Sequence, residues 1–250
     1  ISVESLTGTM RFSGAEVHYL RPLPPAVDVD ATAVFTRDRL LITLKSGNVL
    51  GLKADPGRIN LTRLDTDSER ANIELVLRGS LPEALRIIDH PELKYASGFG
   101  IDPRGAKGET ATRMVFAFPL YTGLKIEELQ FAAAANLRDV RLRNVAMGKD
   151  LTDGKLKLRL DREGLEVTGT GKLGPAQVKF AWYEDFSAGA RYRRRYKLDA
   201  TLDDAARRAF GFDTAPILTG PVVVDAALLE TADGRGDVVV KQALKDAVLR

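Results

Sequence analysis

Ala26-Val27-Asp28-Val29-Asp30-Ala31-Thr32-Ala33-Val34-Phe35 is the stretch that decides the fold. On an extended backbone Val27, Val29, Ala31, Ala33 and Phe35 fall on one side, and Asp28, Asp30 and Thr32 on the other. That period of two marks a strand with one face out of water. The same alternation recurs in Ile73–Leu77, in Leu156-Lys157-Leu158-Arg159-Leu160, in Val178-Lys179-Phe180-Ala181-Trp182 and in Val238–Val240, each bounded by Gly, Asp or Pro. Asp153-Gly154 is expected to turn the chain into the Leu156 strand, Glu163-Gly164 to separate that strand from Leu165-Glu166-Val167, and Asp233-Gly234 to precede Val238. Consecutive strands therefore pair as an antiparallel meander.

Helices are few. Ser80-Leu81-Pro82-Glu83 is a capping-box pattern with Leu85 and Ile88 on one side, which predicts a short helix from Ser80 to about Asp89, stopped by His90-Pro91. Leu202 to Arg208, ending before Gly211, predicts a second, and Lys241–Leu249 a third. An internal repeat emerges around them. Ile73–Ala84 can be laid on Arg194–Ala205, an offset of 121 residues, so that strand, polar cap and helix coincide. Upstream, Val27–Leu44 resembles Leu129–Val145, with Arg37-Asp38 and Arg138-Asp139 as matching turns. Downstream, Gly108–Phe118 resembles Gly220–Leu229. A period of about 110–120 residues implies stacked β-rich modules. Residues 1–125 form the first, with its helix near 80–89, and 126–250 the second, with its helix near 202–209.

Composition narrows the function. The 250 residues hold no cysteine and two histidines, which excludes disulfide scaffolds, zinc ribbons and thiol enzymes. With 37 basic against 34 acidic side chains the net charge is +3, too balanced for a polycationic nucleic-acid binder. The longest apolar runs, Pro221–Ala227 and Phe131–Ala135, fall short of the roughly 18–20 residues a membrane-spanning helix needs. The start at Ile1, with neither Met nor an apolar leader, reads as an excised fragment whose targeting segment lies elsewhere.

Chemical motifs are scarce. His18 and His90 stand 72 residues apart, in no metal-ligand spacing. Asp28-Val29-Asp30 resembles a metal-binding D-x-D, yet both carboxylates fall on the polar side of an alternating strand. Gly100-Ile101-Asp102-Pro103-Arg104-Gly105-Ala106-Lys107 lacks the Gly-Lys-Ser/Thr of a phosphate loop and reads as a glycine-rich connection between a helix and a strand. Arg191-Tyr192-Arg193-Arg194-Arg195-Tyr196-Lys197 could hold single-stranded nucleic acid. On a strand, however, Arg191, Arg193, Arg195 and Lys197 share one solvated face, opposite Tyr192, Tyr196 and Leu198 with Arg194. Neither catalytic residues, nor a metal, nor a cofactor, nor a nucleic-acid partner is expected.

Several motifs together carry a resemblance. They are Leu77-Arg78-Gly79-Ser80-Leu81-Pro82-Glu83-Ala84-Leu85 through Ile88-Asp89, Gly98-Phe99-Gly100-Ile101-Asp102-Pro103, and Gly105-Ala106-Lys107-Gly108 to Phe118-Pro119-Leu120. Leu151-Thr152-Asp153-Gly154-Lys155-Leu156 and the run from Gly164-Leu165 to Gly174-Pro175 extend it, so that it covers roughly residues 70–230. This pattern of Gly, Asp and apolar positions resembles the periplasmic repeats of the AsmA-like superfamily, of the YhdP/TamB type. The resemblance implies a periplasmic segment of an inner-membrane-anchored protein, built of curved β-sheets whose apolar inside carries phospholipid between inner and outer membrane. It supplies no catalytic residue.

The residues reach a compatible expectation by themselves. A long antiparallel sheet with one apolar face and three short helices has too little material to cover that face, so it must curl or hold something apolar. The expected fold is mainly β, an elongated, curved, groove-like antiparallel sheet built of repeats with two or three short helices. The expected groove residues are Val29 and Phe35, Leu75 and Leu77, and Phe131. The second half adds Leu156, Leu158 and Leu160, then Val178, Phe180 and Trp182, then Val222 and Val224. The alternative is an assembly scaffold that adds a strand to outer-membrane clients by β-augmentation.

Overall fold

The computed structural model describes residues 5–18, 24–91, 94–121, 123–124, 128–244 and 247–249. The chain is mainly β. Among the described residues fourteen strands make up its main antiparallel sheet structure, two more (Leu218–Thr219 and Val248–Leu249) pair separately, and three short helices accompany them. The residues divide into two compact units, 1–103 with 109–135 and 104–108 with 136–250.

In the first unit β1 (Thr7–Val17), β2 (Ala26–Thr36) and β3 (Arg39–Val49) form a meander. Two short strands, β4 (Leu52–Ala54) and β5 (Gly57–Thr62), each bridge β3 to β6 (Arg70–Ser80). Helix α1 (Leu81–Ile88) leaves directly from the end of β6. Ser80 is its N-cap: the Ser80 Oγ accepts from the Glu83 N–H at 3.3 Å, and the Glu83 carboxylate accepts from the Ser80 N–H at 3.3 Å. Leu81 and Leu85 are its buried residues. A single turn, α2 (Tyr95–Gly98), follows, which the sequence pattern did not suggest. The glycine-rich segment then leads from α2 into β7 (Lys107–Pro119), which pairs back on β6 through eleven residues from Ser80↔Glu109 to Arg70↔Pro119.

β8 (Gln130–Ala146) starts in the first unit and enters the second after Ala135, where it continues as a meander with β9 (Lys149–Leu160), β10 (Gly164–Leu173), β11 (Ala176–Asp185) and β12 (Arg194–Leu202). Helix α3 (Asp204–Ala209) starts on the Asp203 cap, whose carboxylate accepts from the Ala206 N–H at 2.7 Å. After β13 (Leu218–Thr219), strand β14 (Val222–Glu230) returns to pair with β12, and β15 (Gly236–Ala243) closes the order. β16 (Val248–Leu249) pairs with β13.

Four expectations need correction. Arg138-Asp139 is no turn: both residues lie inside the 17-residue β8, where Asp139 takes φ +51°. The upstream half of the repeat fails with it, because β2 and β3 are a hairpin and β8 is one strand. Asp153-Gly154 likewise lies inside β9, where Asp153 at φ +52° accompanies a slipped register opposite Thr170 and Lys172. A bulge and a turn both need a residue tolerant of the left-handed region, and Asp supplies it in either setting. The Lys241–Leu249 helix is absent: residues 241–243 end β15, 248–249 form β16, and 245, 246 and 250 lie outside the described residues. Leu202 closes β12 rather than opening a helix. What recurs is narrower than the sequence suggests, namely two adjacent antiparallel strands joined through a helix, β6–α1–β7 and β12–α3–β14.

Candidate functional site

Residues directly opposite in an antiparallel ladder project to the same side, so the register assembles each face row by row. In the first unit one row runs Met10, Ala33, Ile42, Ile59, Ile73, Phe116. The next runs Gly8, Phe35, Leu40, Leu61, Ala71, Phe118. Gly8 is required there, since a Cβ would stand 2.3 Å from Cζ of Phe35, whose ring lies across it. Val29, Leu75 and Leu77 extend the same face, opposite Ala15, Met114 and Thr112 respectively. The reverse face carries Thr9, Thr32, Thr43 and Arg58, then Glu74 ion-paired to Arg113 at 2.5 Å.

Burial on the apolar face is inverted with respect to size. Ala31, Ala33 and Ala71 are buried, whereas Leu40, Ile42, Ile59, Leu61, Ile73, Leu75, Phe116 and Phe118 are only half-buried. Met10 and Phe12 are 41% and 37% exposed. Beneath a second layer the large side chains would be the most enclosed. Here short side chains are shaded by their neighbours while the long ones keep their outer ends free, so among the described residues of this unit no second layer covers this face.

The second unit also carries an apolar face, on which Leu156, Val167, Val178 and Val222 are buried. Its rows are Leu158, Val167, Trp182, Tyr196, Leu228, Val238 and Leu156, Gly169, Phe180, Leu198, Ala226, Val240. Val178, Ala200 and Val224 form a third, and Val222 faces Leu202. Gly169 lets Leu156 lie down across β10: an added Cβ would meet Cδ2 of Leu156 at 2.6 Å and the Lys155 carbonyl at 2.4 Å. Phe180, Trp182, Tyr196, Leu198 and Leu228 are half-buried. Val140 is the largest side chain described with less than 2% exposure. The whole chain exposes 16226 Å², about half as much again as the roughly 10,900 Å² of a compact monomer of its mass.

At one end the apolar face of the second unit stops on a charged row, where Leu160 and Leu165 are followed by Glu184, Arg194 and Glu230. Glu184 is 5% exposed. Its carboxylate accepts from Nε1 of Trp182 at 2.8 Å and from Nε of Arg194, and Nη1 of Arg194 reaches Glu230 at 3.1 Å. Burial pulls the Arg194 pKa down, but the bond to Glu184 and the neighbouring charges outweigh it and hold the group above its ordinary value. Trp182 stacks on Tyr196 with ring centroids 6.1 Å apart. The phenol of Tyr196 is held above its usual range, first by burial and then by the two carboxylates, against the pull of Arg194. These groups give the apolar face a polar boundary. The three charges stand 10 and 36 residues apart in the sequence, so only the strand register brings them together.

All the expected groove positions on β2, β6, β9, β11 and β14 fall on these apolar faces. Val29, Phe35, Leu75 and Leu77 share the first, and Leu156, Leu158, Leu160, Val178, Phe180, Trp182, Val222 and Val224 share the second. Phe131 alternates on β8 with Ala133 and the buried Ala135. Of the basic run, Arg191–Arg193 precede β12, Arg195 and Lys197 are exposed on the polar face, and the Arg195 guanidinium lies 5.5 Å from the ring centre of Tyr183. Asp28 sits in a bulge at φ +53°, and Asp30 accepts from the Gly14 N–H at 3.1 Å and the Ser46 hydroxyl at 3.3 Å. His18 meets Glu16 at 2.9 Å. Among the described residues no group of three or more His, Asp or Glu is placed to hold a metal ion, and no helix is long and apolar enough to cross a membrane. No protein-family model, curated protein or solved structure matches the chain.

Proposed function

We propose that this chain is a lipid-carrying segment of an envelope protein of the AsmA-like kind, holding phospholipid acyl chains against its apolar sheet faces on their way between inner and outer membrane. The observation that carries the reading is the partly open apolar surface of those faces, where Leu40, Ile42, Ile73 and Phe116 in the first unit and Phe180, Trp182 and Leu198 in the second are only half-buried. Contiguous apolar surface of that extent marks a site for an apolar occupant, and acyl chains suit it because each buried methylene contributes about 0.8 kcal/mol without needing a directional partner. The opposite faces mix Thr, Arg, Lys and Glu with a few exposed valines such as Val34, Val115, Val223 and Val239. On this reading the protein works without catalysis or cofactor, in the periplasm, tethered to the inner membrane by sequence outside this chain.

Two measurements test it together. Native mass spectrometry of the protein purified from cells is expected to show bound phospholipid. Photo-crosslinkers placed singly from 177 to 183 are expected to capture lipid at 178, 180 and 182 and to miss it at 177, 179, 181 and 183. Protein that carries no phospholipid, or capture without this alternation, rejects the reading.

A further inference from the structure

The outer edge of β15 has no strand against it among the described residues. Native sheets blunt such edges with bulges, prolines or very short strands. β1, the edge strand of the first unit, does so: its ladder slips twice between Phe12 and Val17, with Gly14 at φ +60°. β15 has no bulge, no proline and no such shortening, and its only edge charges are Asp237 and Lys241. Its eight residues, Gly236-Asp237-Val238-Val239-Val240-Lys241-Gln242-Ala243, pair with β14 in unbroken register from Gly236↔Glu230 to Ala243↔Val223. All eight are exposed, with Val238 at 67%, Val239 at 49% and Val240 at 51%.

The sequence of that edge is self-complementary. Turned antiparallel on itself about Val239, it sets Val238 opposite Val240 and Asp237 opposite Lys241, and the two-fold axis makes each pairing occur twice. We propose that two copies of this chain join through β15 in this register. Val238 and Val240 lie on the face that carries Leu228 and Ala226, so pairing continues the apolar rows from one copy into the next. On the reverse face Lys241, already opposite Asp225, comes to stand between two carboxylates. Asp237, whose Oδ2 accepts from the Tyr192 hydroxyl at 3.4 Å, gains a cation. A second copy is favoured over a foreign strand because the edge supplies both charges of each pair itself. The inference stands whether or not the apolar faces carry lipid.

Sedimentation across the micromolar range tests it. The native chain is expected to be a dimer. Asp237→Lys alone and Lys241→Asp alone each set like charges opposite one another and are expected to weaken association at least tenfold, whereas mixing the two variants restores opposite charges in both pairs and restores the dimer as a mixed species. Misfolding of a single variant could not produce that rescue. The register is read separately by cysteine, which the chain otherwise lacks: Val239→Cys is expected to give a covalent dimer on oxidation, and Val238→Cys to do so only when mixed with Val240→Cys. A native chain monomeric throughout the range, single variants that dimerise as tightly as the native chain, or a β15 edge occupied by a client strand on a monomer overturns the proposal.

Discussion

Leu158→Asp is the most discriminating substitution on the second apolar face. Leu158 opens its row, opposite Val167 on β10 and in line with Trp182 on β11, and it is half-buried. Full burial of a leucine is worth about 1.5–3 kcal/mol, so a half-buried one contributes roughly 1 kcal/mol to folding, and its loss leaves the sheet standing. An acyl chain lying along the row loses apolar contact equal to roughly three methylenes, about 2 kcal/mol at ~0.8 kcal/mol each, which is about thirtyfold in affinity. Lys157→Asp is the matched control, because Lys157 is exposed on the reverse face opposite Thr168. Phospholipid per mole of folded protein, extracted from both variants and counted by mass spectrometry beside a thermal unfolding curve, separates the effects. The expected result is lipid lost from Leu158→Asp and retained by Lys157→Asp. Equal lipid content in the two variants, both folded, refutes the assignment of this face.

Ser80→Ala removes the acceptor that starts α1 and should cost about 0.5–2 kcal/mol in denaturant unfolding, with lipid content unchanged; lipid lost at unaltered stability would give that helix a role beyond structure. Arg207, 5% exposed, donates to the carbonyls of Leu202, Gly220 and Leu218, to Thr214 and to Asp204. Arg207→Met strands these part-buried acceptors and should cost about 2–3 kcal/mol; a urea midpoint within error of native would contradict the network. Asp30 titrates below its ordinary value of 3.8, chiefly through the Gly14 N–H and then Ser13, with burial opposing and Ser46 assisting. A depressed folded pKa gives stability that is present above that value and lost as pH falls through the folded pKa. Asp30→Asn should therefore flatten the acid limb of the stability curve between about pH 5 and pH 2, and an unchanged limb would show that Asp30 contributes nothing.

Strands were legible wherever Leu, Val or Phe alternated with charge, because a single apolar face imposes that period, and α1 was legible because Ser80 and Glu83 carry both halves of its cap. Asp139 and Asp153 misled because a bulge draws on the same tolerance for positive φ as a turn, and only pairing distinguishes the two. Lys241, Gln242 and Ala243 are good helix formers, yet the ladder to β14 extends the strand of Val238–Val240 through them. The boundary of Glu184, Arg194 and Glu230 was beyond reach from sequence, since it exists only once β11, β12 and β14 are in register. Single residues carried the periodicity, and pairs of strands carried the charge.

Geometry explains why the helices leave the first face uncovered. Eleven residues of strand span about 36 Å and six strands side by side about 24 Å between the outermost axes, so that face covers on the order of 900 Å². The eight residues of α1 make a cylinder only about 12 Å long and 10 Å wide, a footprint near 120 Å², and α1 departs from the end of β6 with only Leu81 and Leu85 buried. Covering the face would take roughly seven such helices, where the described residues of this unit hold α1 and one further turn, α2. Enlarging Gly8 would not close it either, since the Phe35 ring already lies across it and added bulk there pushes that ring outward. A unit that spends its length on strands and keeps its helices at strand ends leaves apolar surface that its own described helices do not shield from water.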